Sequence, residues 1–144
     1  MTASPTAATD RARPQLFGTG DPQPLRGGAD EWQDLAPEIL RQRLVIEGVP
    51  ARPVDEALVR SYLSGLSRAV DMVQLLEPVT HRSDLYGWAG WIHWETSGAH
   101  FYAWEQPRLF FSVDVYTCKV FDVDTAVSFT RDFLSAGSIV AKSF

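Results

Sequence analysis

Three strand-type segments follow one another between Tyr86 and Tyr116, with connections too short to hold a helix. Tyr86 to Trp94 carries Trp88, Trp91, Ile92 and Trp94, and Gly98 to Trp104 follows directly. Leu109, Phe111, Val113 and Val115 then alternate with Phe110, Ser112, Asp114 and Tyr116. Parallel neighbours need a long crossover, so this run predicts antiparallel pairing. A period of two places successive side chains on opposite faces of a sheet. The chain is therefore committed to a sheet with two chemically different faces.

The flanking segments complete the layer. Arg43 to Glu47 is a short apolar, β-branched run ending at Gly48 and reads as a strand. Val54 to Val70 sets Leu58, Val59, Tyr62, Leu63, Leu66, Ala69 and Val70 on one helical face, with Asp55 and Glu56 in the first turn. Met72 to Thr80 reads as a strand whose Pro78 argues for an edge or a bulge. Asp122 or Asp124 can cap a second helix, Thr125 to Leu134, with Gly137 as its stop, and Ser138 to Phe144 reads as a last strand. The order predicts an α+β fold: a two-layer sandwich of a mostly antiparallel sheet with helices on one face.

Residues 1–38 differ in kind. They carry Pro5, Pro14, Pro22, Pro24 and Pro37 with Gly18, Gly20, Gly27 and Gly28, and no apolar periodicity. Such a segment cannot offset its ordering entropy by burial, so it reads as a flexible tail ahead of a domain at 39–144. A net charge of −5 argues against a nucleic-acid surface. No apolar run is long enough for a membrane span. No basic stretch precedes an apolar one at the N-terminus, and one cysteine makes no internal disulfide, so a cytoplasmic protein is expected. His81, His93 and His100 show no metal-ligand spacing, and no metal is expected.

The chemistry-bearing residues lie in the strand run. Gly87 precedes Ser97 by ten positions, with Gly90 between them; His81-Arg82 stands upstream and Trp104 downstream of Ser97. Val113-Asp114-Val115-Tyr116-Thr117-Cys118 follows. Over about residues 41 to 135 this arrangement resembles the bacterial pyruvoyl-dependent S-adenosylmethionine decarboxylases, with one residue inserted between Trp104 and Val113. The resemblance implies self-processing at Thr96-Ser97. The Ser97 hydroxyl would attack the Thr96 carbonyl in an N-to-O acyl shift, and β-elimination would cut the chain. Hydrolysis would leave Ser97 as an N-terminal pyruvoyl group, an electron sink for loss of CO2 from an amino acid. It also implies that Cys118 reprotonates the product and that Glu47, Glu105 (in competition with Gln106) and Trp104 contact substrate. The substrate would be S-adenosylmethionine or a related amino acid in polyamine-type metabolism, and the assembly a homodimer.

The sequence departs from the family at informative places. Ala89 stands where the family has a serine, and Tyr102 where it has a histidine, both of which assist processing. Thr96 replaces a glutamate and Gly98 a histidine. Tyrosine, with a reference pKa of about 10, is a poor base near neutrality. His100 shares a strand face with Tyr102 and could compensate, and Glu95 and His93 are further candidates. An alternative reading is therefore an unprocessed relative acting as a ligand-binding or regulatory subunit, or one with changed chemistry in the same pocket. Each residue also has a structural reading: Ser97 as the start of a strand after a tight Ser-Gly turn, Cys118 as a small packing residue, His100 as a structural histidine.

Overall fold

The computed structural model describes residues 33–144; the Pro/Gly-rich segment assigned to the tail lies, up to residue 32, outside the described residues. The elements run β1 (Gln42–Val49), α1 (Glu56–Ala69), β2 (Val79–Ser83), β3 (Gly87–Trp94), β4 (Ser97–Trp104), β5 (Phe110–Thr117), α2 (Val123–Leu134) and β6 (Ser138–Ser143). The strands form one sheet in the order β2-β3-β4-β5-β1-β6, and every neighbouring pair is antiparallel. The α+β sandwich expected from the strand run is the observed architecture. None of the described helices is long and apolar enough to cross a membrane.

The period-two pattern sorts the faces as expected. Leu44, Ile46, Ile92, Trp94, Ala99, Phe101, Ala103, Phe111, Val113 and Val115 point into the core beneath the helices and are almost fully buried. Helix α1 crosses β2, β3 and β4 and packs beside α2, contributing Val59, Tyr62, Leu63 and Leu66 to the core. Gly65 lies where α2 comes closest: a Cβ there would meet the Phe129 ring at 2.7 Å. Two polar pairs cross the core. Tyr62 and Thr130 hydroxyls lie 2.8 Å apart, and Trp94 Nε1 donates to Ser67 Oγ at 2.7 Å. Burial pushes the Tyr62 phenol pKa up, so the group stays neutral.

Three boundaries differ from the sequence reading. Met72 to Thr80 is not a strand: β2 begins at Val79, and the preceding stretch makes one isolated bridge, Gln74 to Trp94. Its apolar residues split between a buried Met72 and exposed Val73 and Leu75, so no sheet face forms there. Pro78, read as the mark of an edge or a bulge within a strand, lies just ahead of β2, which is an outer strand of the sheet. Asp55 lies outside α1 as its N-cap, accepting from Leu58 N at 2.8 Å. Helix α2 starts at Val123 behind an Asp122 cap and stops at Ser135 in a left-handed conformation, two residues before Gly137.

Ser67→Ala removes the acceptor of a buried indole N–H. It is expected to cost about 1–3 kcal/mol, read as a lower urea midpoint at unchanged m-value. A second expectation concerns Glu56, whose carboxylate accepts from Arg60 and Thr80 and so joins α1 to the edge strand. Hydrogen bonding from Arg60, then Thr80, lowers its pKa below the ordinary 4.5. A depressed folded-state pKa adds stability that is present above the unfolded value and is lost as pH falls through the folded one. The stability difference between wild type and Glu56→Gln should therefore be present at neutral pH and vanish in acid, measured by denaturation across a pH series.

Candidate active site

Strands β3 and β4 are joined by a tight hairpin at Glu95-Thr96, and Ser97 pairs with Trp94 on one side and Thr117 on the other. Ser97 holds φ at 136°, where L-residues other than glycine rarely go. Such a conformation costs on the order of 1–3 kcal/mol and persists only where neighbours enforce it. The neighbours are visible. Cys118 N donates to the Thr96 carbonyl at 2.9 Å, and the Thr96 and Thr117 hydroxyls lie 3.2 Å apart. His93 Nδ1 lies 3.0 Å from the Ser97 carbonyl oxygen, and Ser97 Oγ lies 3.8 Å from Cys118 Sγ. Gly98 is required here, because a Cβ would collide with the Ile92 carbonyl oxygen.

This corner opens onto a cleft of about 780 Å³ on the sheet face away from the helices. Its lining includes Trp91, His93, Ser97, His100, Asp114 and Tyr116. Arg43 closes one side through a paired contact to Asp114, Nε to Oδ1 at 3.0 Å and Nη2 to Oδ2 at 2.7 Å. That hydrogen-bonded carboxylate raises the Arg43 pKa further above its ordinary value. The cleft is within the size range of small-molecule sites, and its lining combines the rings of Trp91, His93, His100 and Tyr116 with the polar groups of Arg43, Ser97 and Asp114.

The predicted residues fall into two groups. Thr96, Ser97 and Cys118 meet at the hairpin, and His100 lines the same cleft. Tyr102 does not: at about 3.4 Å rise per residue it lies roughly 17 Å along β4 from Ser97. It stands opposite Ala89 on β3 and Ser112 on β5, and its ring stacks on His100 at 6.3 Å. Ser112 in turn donates to Glu47 at 3.3 Å, so Glu47, Ser112, Tyr102 and Ala89 form one row across the sheet. Trp104 lies farther on, against Tyr86 and Phe110, and Glu105 faces Arg82 at 3.9 Å. The Arg43–Asp114 pair was not singled out from sequence; the alternation that puts Asp114 on the open face was its one signal. His93 was only a compensating candidate, and nothing local in the sequence announces its contact with Ser97. Among the described residues no group of three or more His, Cys, Asp or Glu side chains is arranged to hold a metal ion.

A family model described as S-adenosylmethionine decarboxylase matches residues 44–144. The chain belongs to the S-adenosylmethionine decarboxylase family. The match spans every strand of the sheet from Leu44 in β1 onward and contains the whole hairpin site. The crystal structure of the adenosylmethionine decarboxylase from Aquifex aeolicus VF5 superposes with a TM-score of 0.60 at 20% identity, covering 74% of this chain and 89% of that one. At that identity the likeness shows the shared fold. Comparison with curated proteins gives no match.

Gly98→Ala should lose about 1–3 kcal/mol through the forced contact with the opposing backbone. Gly137→Ala, whose Cβ would meet nothing within 4 Å, should stay within about 0.5 kcal/mol of wild type. Parallel urea titrations of the two variants check the contrast.

Proposed function

We propose that the chain is a self-processing, pyruvoyl-dependent decarboxylase acting on S-adenosylmethionine or a related amino acid. The observation that carries this reading is the state of the Thr96–Ser97 bond. Its serine is strained, its carbonyl already accepts from the Cys118 N–H at 2.9 Å, and a thiol stands 3.8 Å from the hydroxyl. An N-to-O acyl shift places negative charge on the Thr96 oxygen, and an oriented backbone donor at that oxygen stabilises it. Breaking the Thr96–Ser97 amide also removes the torsion that holds Ser97 at positive φ.

The residues present fit the cofactor that the family implies. The carbon skeleton of Ser97 lies at the mouth of a cleft large enough for an amino-acid substrate, with an exposed Cys118 beside it. A pyruvoyl group at position 97 would supply a carbonyl that accepts a substrate amine and draws electrons as CO2 leaves. Cys118 would hold the proton returned to the product, and the rings of Trp91 and Tyr116 would cover the apolar part of the substrate. The name of the Aquifex aeolicus neighbour agrees with a substrate of the S-adenosylmethionine class.

The reading includes a homodimer. The face away from the helices carries exposed Tyr102, Tyr116, Val140 and Phe144, with Tyr102 37% exposed. The Glu47–Tyr102 row sits roughly 17 Å from Ser97 within one protomer, so those positions serve a Ser97 site only when a second copy lies face to face. A second reading rests on Ala89 opposite Tyr102. Alanine carries no proton-transfer group, and a tyrosine stands where the resemblance implies a histidine, which favours an unprocessed relative that binds the same ligand without cleaving itself.

Intact mass and carbonyl labelling separate the two. A processed chain should give two fragments, the second beginning at residue 97 and taking up one hydrazine per chain, with Ser97→Ala remaining at 16.1 kDa. A purified protein found only at full mass and without hydrazine uptake would overturn the decarboxylase reading. Sedimentation at the mass of a monomer would overturn the dimer.

A further inference from the structure

Ser97 has two carbonyls within reach of its own chemistry, and each has a donor. The Thr96 carbonyl, which the hydroxyl attacks, accepts from Cys118 N. The Ser97 carbonyl, on the other side of the same residue, faces His93 Nδ1 at 3.0 Å. A carbonyl oxygen can only accept, so Nδ1 carries the proton in this contact. The ring is fixed from the side as well: it meets Trp91 edge-on, with centroids 5.7 Å apart. His93 and Ser97 stand at the two ends of the β3–β4 hairpin, so the register of that hairpin sets their separation.

We infer that His93 is a catalytic residue of self-processing, acting as an electrophile on the elimination step. The inference rests on the self-processing reading above. In the acyl shift the Ser97 Oγ–C bond to Thr96 forms, the Thr96–Ser97 amide breaks, and the hydroxyl proton ends on the freed Ser97 nitrogen. In the elimination the Ser97 Cα–H is lost to solvent, the Cβ–Oγ bond breaks, and the Thr96 carboxylate departs. The electron pair left on Cα is shared with the carbonyl of residue 97 itself, as an enolate. That is the oxygen to which His93 donates. A neutral amide carbonyl is a weak acceptor and an enolate oxygen a strong one, so the hydrogen bond strengthens as the α-proton leaves. Stabilisation that grows toward the transition state raises the rate. Water then hydrolyses the resulting dehydroalanine, releasing ammonia.

This assignment addresses the substitutions at positions 89 and 102. A donor at the enolate oxygen makes the α-proton more acidic, so a strong base is needed less. Tyr102 need not take the role of a histidine if the demand on the base falls. His93 achieves this from the same hairpin as Ser97, whereas Tyr102 lies far along β4.

The test follows chain cleavage after cell-free synthesis of the full chain, with hydroxylamine as a probe for the ester. Wild type should cleave by itself and yield a C-terminal fragment without a free amino terminus. His93→Leu should cleave roughly 100-fold more slowly, the typical effect of losing one such donor. Because the acyl shift does not use His93, this variant should accumulate an ester. Hydroxylamine should then release a fragment beginning with unmodified serine at residue 97. His93→Gln, which keeps an N–H donor, should recover part of the rate. A His93→Leu chain that cleaves at the wild-type rate, or that slows without a hydroxylamine-sensitive ester, overturns the assignment and leaves the decarboxylase reading standing. A wild type that neither cleaves nor forms the ester overturns that reading, and the assignment with it.

Discussion

The pairing of β4 with β5, with Ser97 opposite Thr117, is the constraint on which the site depends. It brings Cys118 to the end of the hairpin, where its N–H reaches the Thr96 carbonyl and its thiol reaches the Ser97 hydroxyl. A slip of one residue would turn every β5 side chain to the other face, sending Val113 and Val115 out and Asp114 and Tyr116 into the core. Burial of the apolar set therefore fixes the same register that aligns the reactive groups. Stability and site geometry are held by one interaction.

The helices leave one sheet face to function. On the covered face, aromatic and aliphatic side chains close the core, and its polar groups are paired with one another: Trp94 with Ser67, Tyr62 with Thr130. On the open face, the rungs of the sheet carry distinct chemistries at different heights. The rung at the hairpin end holds Arg43, Tyr116, Gly98 and His93, and the next holds Asp114, His100 and Trp91. The rung beyond holds Glu47, Ser112, Tyr102 and Ala89. Residues that sequence spacing groups around Ser97 are thus spread along the strands, because five positions in an extended chain span about 17 Å.

Most of the fold was legible because its strands alternate strictly. The alternation of Phe111, Val113 and Val115 with Ser112, Asp114 and Tyr116 named the strand, its two faces and the side on which the helices lie. The segment after α1 was not legible in the same way. Met72 and Pro78 are buried by contacts with other elements, while Leu75 and Val79 are exposed, so an apolar composition there did not mean a strand. The end of α2 was misjudged because Ser135 adopts the left-handed conformation that glycine prefers, leaving Gly137 outside the cap. At the site, the family spacing was enough to pair Ser97 with Cys118. The strain at Ser97 and the His93 contact are properties of a hairpin in three dimensions, and no local pattern in Trp91-Ile92-His93-Trp94 encodes them.

On the proposed self-processing reading, the hydrogen-bond donors around Ser97 make the departure at position 102 less decisive than it looks from the sequence. The proposed self-cleavage would have two charge-developing moments, one on the Thr96 oxygen during acyl shift and one on the Ser97 oxygen during elimination. Proton transfer contributes typically 10²–10⁴-fold to a step, and a preoriented donor at a developing oxyanion contributes about as much. On the proposed self-processing reading, donors at both oxygens would supply assistance of a size similar to that of the histidine the resemblance implies at position 102. The backbone strain at Ser97 acts in the same direction, since it raises the ground state of the bond that breaks without stabilising the ester that follows. The strain at Ser97, the Cys118 amide at the Thr96 carbonyl and the His93 ring at the Ser97 carbonyl all bear on one dipeptide, Thr96-Ser97. On the proposed reading, that concentration, more than any single acid or base, is what this hairpin would contribute to the chemistry of position 97.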